Sequence, residues 1–393
     1  MSIDPQTWFV IGFYIAIVLL IIIFRRKFEF QAKFIALLRT KIGLKSMDKL
    51  AKKYPRTIRG LGYVGIWVGY IGMLVITYFI FYGLYQLVKT PGGPATFAPV
   101  LPGVHIPGSP IFVPFWHGII AIFVVAAIHE FAHGVVARAH GIPVKNSGIV
   151  FFGPLIGAFV DPDDKILEKQ KPIVKNSMYA AGPWSNILLA IVVFVLLSFV
   201  FTPVLNSMVQ NKGVYFGQIQ DGFPAEAAGV ESNITYTFIN GQNITQNTEF
   251  IAALEGLKPN DTVTIGNENK TLTITATKNP DAPEKGYIGV LGIFTQAKLK
   301  NPDHLIGYSI IDWFGRLFLW IFVLTIGIGL ANLLPLGALD GGRMFRLALL
   351  KKFEKKKALH IFKIVTALFI VFLLLLLVPI FTAIGKSLLN VLI

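Results

Sequence analysis

The chain has 393 residues, 54% of them hydrophobic and 15% charged, with a formal net charge of +15 and no cysteine. Its mean hydropathy is +0.64. Soluble domains are about 25% charged and lack apolar runs near the roughly 20 residues that cross a bilayer, so a purely soluble chain is excluded. The absence of cysteine excludes disulfides, thiolate zinc sites and cysteine nucleophiles.

Six spans are predicted in chain order. The first, about 6–24, has Asp4 before it and Arg25-Arg26-Lys27 after it. That is the reverse of a secretory signal, so a retained span with an outside N-terminus is expected. The basic segment 25–60 is expected to hold an amphipathic helix on the cytoplasmic face, with Phe30, Phe34, Leu37 and Leu38 on one side. The second span, about 62–88, goes out, and the Pro/Gly-rich stretch 90–110 is an outer loop.

The third span, about 111–138, returns inward. Residues 139–175 alternate turn residues with short apolar runs such as Gly148-Ile149-Val150-Phe151-Phe152, which predict β-hairpin strands at the membrane surface. The fourth span, about 176–202, goes out. Between 203 and 300 the composition turns to Asn, Thr, Gly and charged residues, a soluble domain that the topology places outside. Its Asn-x-Thr sequons at Asn233, Asn243, Asn260 and Asn269 fit either glycosylation or an Asn/Thr-rich surface. The fifth span, about 307–335, comes in. The sixth, about 359–388, goes out, with a kink or re-entrant piece expected at Pro379.

Twelve Lys and Arg residues fall between Arg25 and Arg59, and seven more between Arg343 and Lys357, both sets beside apolar spans. Such residues are retained in the cytoplasm, so the charge sets topology and attracts anionic lipid headgroups. No aromatic-basic motif accompanies it, and no nucleic-acid partner is expected.

The third span contains His129-Glu130-Phe131-Ala132-His133. On a helix, residues four apart share a face, so both imidazoles can reach one metal while Glu130 leans over a metal-activated water. Three ionisable side chains in one turn of an apolar span usually mark a functional site. A catalytic zinc usually takes three protein ligands. Asp340, the only acidic residue between Asp312 and Glu354, lies at the cytoplasmic end of an inward span and is the candidate third ligand.

These residues resemble the site-two protease family of intramembrane zinc metalloproteases. The resemblance is carried by His129–His133, Asn332-x-x-Pro335-x-x-x-x-Asp340-Gly341, Ala181-Gly182-Pro183-Trp184-Ser185-Asn186 and Gly157-Ala158-Phe159-Val160-Asp161-Pro162-Asp163. It implies a polytopic α-helical membrane protein of about six transmembrane helices, holding one zinc per chain. His129, His133 and Asp340 would be ligands, Glu130 the base, and Asn186 an active-site hydrogen-bond donor. The strands around 148–160 would offer an edge to an extended substrate, with Gly157, Phe159, Asn332 and Pro335 as binding residues.

Residues 212–292 resemble a PDZ domain, α+β and inserted extracytoplasmically, with Tyr287 and Gly289 in a candidate carboxylate-binding loop. The implied division is 1–110 for two helices and a basic loop, 111–202 and 301–393 for the halves of the catalytic core, and 203–300 for the PDZ-like domain. The implied substrate is a membrane protein, single-pass and already trimmed outside, with the active site toward the cytoplasm. Two other readings use the same residues. A metal transporter would be expected to show repeats and several sites along a path, and an inactive PDZ-bearing scaffold would not need intact ligands.

Overall fold

The computed structural model describes residues 5–31, 35–90, 92–93, 95–152, 155–280, 282–337 and 339–392. Asp4 and Phe34, used in two of the expectations above, lie outside the described residues. The chain forms α1 (Pro5–Ile23), β1 (Glu29–Gln31), β2 (Ile35–Thr40), α2 (Leu44–Lys53), α3 (Pro55–Lys89), α4 (Phe115–Ala139), β3 (Val144–Phe152), β4 (Leu155–Pro162), α5 (Asp164–Glu168) and α6 (Pro172–Leu196). A π-helical turn, Leu197–Phe201, leads into α7 (Thr202–Met208), β5 (Val209–Ile219), α8 (Pro224–Ala227), β6 (Phe238–Ile239), β7 (Gln242–Asn243) and α9 (Asn247–Ala253). Then come β8 (Thr262–Gly266), β9 (Thr271–Thr275), β10 (Thr277–Lys278), β11 (Gly286–Tyr287) and β12 (Val290–Leu299). The chain closes with α10 (Leu305–Asn332), α11 (Asp340–Lys352), α12 (Lys355–Leu376) and α13 (Val378–Leu392). Two compact units result, Met1–Leu197 with Phe314–Ile393, and Ser198–Trp313.

Among the described residues five helices are long and apolar enough to cross a membrane: Pro55–Lys89, Phe115–Ala139, Pro172–Met208, Pro302–Asn332 and Lys355–Ser387. The first predicted span is a shorter apolar helix, Thr7–Ile23. Along α3, Trp67, Leu74 and Val88 remain 74%, 72% and 80% exposed. Large apolar side chains in that state belong against lipid, and the protein is an integral membrane protein. The inward face of α3 carries Gly62, Gly65, Gly69 and Gly72, which press on Ser177, Trp184, Met344 and Leu333. Small residues let helix backbones approach closely where no hydrophobic drive operates in lipid. The last helical pair breaks at Leu377, just before Pro379, which cannot donate to the preceding turn.

The basic segment departs from its expected helix. Phe30 lies in β1, and Leu37 and Leu38 in β2. The strands form a hairpin added to β3, so the sheet runs β1-β2-β3-β4, antiparallel throughout. Ile35, Ala36, Leu37 and Leu38 stand opposite Phe152, Phe151, Val150 and Ile149. That partner strand satisfies the backbone and covers the side chains, which overrides the helical spacing. The amphipathic helix comes later, as α2, which buries Met47 and Ala51.

The second unit pairs β5 with β12 and arranges β7-β6-β8-β9 as a four-stranded sheet. Phe216, Ile239, Phe250 and Ile265 are fully buried in its core. In β8 the alternation of buried Val263 and Ile265 with Thr262 and Thr264 is the period-two pattern of a half-buried strand.

Candidate active site

His129 and His133 lie one turn apart on α4 and are buried at 5% and 8% exposure. Asp340 is the first residue of α11 and is equally buried. The turn after α10 positions it there. A Cβ on Gly341 would lie 2.1 Å from the carbonyl oxygen of Leu333, and one on Gly342 would lie 1.9 Å from that of Leu336. Only glycine lets α11 start so close to the preceding turn, and its N-terminus suits a carboxylate.

Three atoms form a nearly equilateral triangle. His129 Nε2 is 3.1 Å from Asp340 Oδ2, His133 Nε2 is 3.2 Å from the same oxygen, and the two nitrogens are 3.2 Å apart. His133 Nδ1 donates to the Met178 carbonyl at 2.7 Å, which leaves its Nε2 as a bare lone pair. That lone pair therefore meets a carboxylate oxygen, acceptor to acceptor. One proton on His129 cannot serve both partners. A cation among the three atoms resolves the conflict, and ligands on tetrahedral arms of ~2.0 Å stand about 3.3 Å apart. The donor set fits zinc.

A second observation agrees. A Cβ on Gly182 of α6 would lie 2.4 Å from Nε2 of both histidines, so the missing side chain leaves the space before them. Glu130 also brings an oxygen within 4.8 Å of the imidazoles. The Asp340 contacts are much shorter, and Glu130 Oε2 already accepts the Val160 backbone N–H at 3.0 Å. Asp340 thus suits the third ligand position, and Glu130 stands beside the triangle with an oxygen to spare.

These residues line a cleft of about 560 Å³, together with Phe159, Asn332, Arg39 and Arg343. One wall is the face of the sheet that carries Leu37, Val150 and Phe159. β4 is the edge strand. Because the Val160 N–H leaves the sheet toward Glu130, the period-two geometry turns the backbone groups of Ala158 and Ile156 to the same open edge.

Of the residues singled out in the sequence, His129, Glu130, His133, Asp340, Phe159 and Asn332 come together here. Asn186 lies one turn beyond Gly182 on α6, fully buried, and its side-chain amide has no hydrogen-bond partner among the described residues. It packs beside Gly329 of α10. Gly157 stands opposite Val150 in the sheet, and the Pro335 carbonyl accepts the Thr366 hydroxyl; neither is among the described lining residues. Tyr287 and Gly289 belong to the second unit, where the Tyr287 hydroxyl bonds Gln220 and its ring meets Phe223. His140, at the end of α4, contacts Ser177 Oγ at 3.1 Å. Burial first, and Arg59 second, hold its pKa below the usual value for histidine.

The sequence reading missed the Met178 carbonyl, the Val160 N–H and the role of Gly182. Backbone groups carry no residue-type signal. Gly182 did stand inside a quoted motif, one turn before Asn186.

Two histidines and an aspartate from distant segments, with a glutamate beside them in an integral membrane protein, are a side-chain set that could hold a metal ion. Residues 117–376 match peptidase family M50, and the chain belongs to that family. It is 27% identical over 310 residues to an uncharacterized protein of Methanocaldococcus jannaschii, covering 78% of this chain and 75% of that one. It is 28% identical over 207 residues to the regulator of sigma-W protease RasP of Bacillus subtilis, covering 42% of this chain and 48% of that protein. A zinc metalloprotease RasP of Shouchella clausii is 27% identical over 223 residues, 45% of this chain and 51% of that one. The matches thus span about half the length of these two named relatives. A PDZ domain of an SdrC-like protein of Listeria monocytogenes aligns at a TM-score of 0.18 and 27% identity, over 20% of this chain and 85% of that one.

Proposed function

We propose that this chain is a zinc-dependent endopeptidase that cleaves membrane proteins within or near their transmembrane segments, with one zinc held by His129, His133 and Asp340. The observation that carries this reading is the triangle of converging lone pairs with Glu130 beside it. A zinc ion bound by His129, His133 and Asp340 would supply Lewis acidity to the peptide carbonyl and to the attacking water. Glu130 takes the proton of the attacking water and passes it to the departing amine. Asn186, whose buried amide lacks a partner among the described residues, donates to the oxygen that gains charge. The open edge of β4 holds the substrate extended, because a helical peptide bond is shielded until it is unwound.

The rest of the reading concerns topology and partners. α1 serves as a sixth crossing, and the basic segments face the cytoplasm and its anionic lipids. Ser198–Trp313 is a PDZ-like docking or filtering module on the outer side, using Tyr287 and Gly289. Residues 1–110 serve as an accessory part, 111–202 and 301–393 as the two halves of the catalytic core. The substrate is single-pass and already trimmed. A transporter reading is disfavoured because Glu130 would have no task.

The full chain, reconstituted in vesicles with a single-pass model substrate, is expected to cleave it. Removal of zinc by 1,10-phenanthroline should lower the rate at least about 100-fold, and added zinc should restore it. Cleavage that persists unchanged in chelator contradicts the proposal.

A further inference from the structure

Arg39 lies on β2, outside the residues that match the peptidase family. Its guanidinium joins three strands. Nε and Nη2 grip the Glu29 carboxylate of β1 at 2.6 and 3.2 Å, and Nη1 donates to Asp161 Oδ2 of β4 at 2.5 Å. To reach β4 it must pass over β3, and the residue opposite it there is Gly148. Gly148 in turn faces Phe159, and Arg39 stacks at 5.9 Å from that ring. A side chain at Gly148 would strike Phe159, at 2.6 Å from Cβ to ring carbon, and would block the crossing.

The far end of this clamp meets the catalytic apparatus. Asp161 follows Val160, whose N–H holds Glu130 Oε2. Among the described residues, the Asn146 amide is the one other side-chain donor to Asp161, at 3.4 Å. Arg–carboxylate pairs of this forked kind fix geometry as well as energy. β4 is an edge strand with one strand neighbour, β3, and the Arg39 clamp adds a tie to the Val160–Glu130 bond that links it to α4.

We propose that Arg39 is a positioning residue, which fixes β4 through Asp161 so that Val160 holds the Glu130 carboxylate in place beside the metal site. This rests on the peptidase reading above. The hairpin β1–β2 thus serves the active-site cleft, although it lies far from the catalytic motifs in sequence.

The test uses the full chain in detergent, with Arg39→Met, Asp161→Asn, the double variant and the control Lys145→Gln. Lys145 of β3 pairs with Asp163, which caps α5 just beyond β4, and is not among the described residues that line the cleft. Arg39→Met and Asp161→Asn should each lower kcat on the order of 10-fold with KM within about twofold, and the double variant should be no slower than either. Hydrogen exchange of peptides covering Leu155–Pro162 should accelerate in both single variants, while zinc stays near one per chain and Lys145→Gln behaves as wild type. Arg39→Lys, which keeps the charge without the fork, should recover only part of kcat. Unchanged exchange in β4, or rate losses that multiply in the double variant, overturns the proposal. Exchange and zinc content are read without substrate. A wild-type chain that cleaves nothing would therefore sink the peptidase reading while the tie between Arg39 and β4 is still decided.

Discussion

Glu130→Gln is expected to lower cleavage by about 10³-fold or more while zinc remains near one per chain. The amide fills the same space and can still face the Val160 N–H through its oxygen, so the strand and the metal ligands keep their places. It cannot take a proton. General-base catalysis contributes ~10² to 10⁴-fold, and in the proposed mechanism the same carboxylate serves again as the acid for the leaving amine. Turnover assays beside metal analysis on the purified variant check both halves. Loss of zinc together with activity would place Glu130 among the ligands instead.

Gly182→Ala is expected to abolish both zinc binding and cleavage. In the interior of a helix this change ordinarily stabilises by about 0.5–1 kcal/mol. Here the new methyl would sit 2.4 Å from Nε2 of both histidines. Neither imidazole can retreat easily, because His133 is pinned to the Met178 carbonyl and both are packed between helices. Overpacking of this kind forces side chains off their rotamers. The signature is a chain that still folds, with a somewhat lower melting temperature, yet binds little zinc. Stoichiometric zinc in the alanine variant would show that α6 does not close over the metal.

The metal-binding pattern was legible because its chemistry is local: two histidines and a glutamate within one turn need only helical periodicity to converge. Asp340 was legible by elimination, as the one acid between Asp312 and Glu354, at the end of the fifth predicted span. What placed it could not be read in advance, since the contact of Gly341 and Gly342 with the carbonyls of Leu333 and Leu336 depends on the folded turn. The β3–β4 hairpin followed from short apolar runs broken by turn residues. The β1–β2 hairpin did not, because Phe30, Leu37 and Leu38 fit a helical spacing; Leu37 and Leu38 become strand against Val150 and Ile149, over a hundred residues away, and Phe30 then pairs with Ala36. Long-range pairing is the information that periodicity lacks. The Arg39–Asp161 bond is hidden for the same reason, although each residue alone reads as an ordinary surface charge.

The most direct test of the metal centre is the zinc affinity of Asp340→Ala against wild type, measured by competition with a chelator of known strength. If the carboxylate completes the ligand set with His129 and His133, affinity should fall at least about 100-fold, more than loss of a supporting hydrogen bond would cause. An affinity equal to that of the unaltered chain would contradict the three-ligand site, and with it the proposal that this protein cuts peptide bonds with a zinc held there.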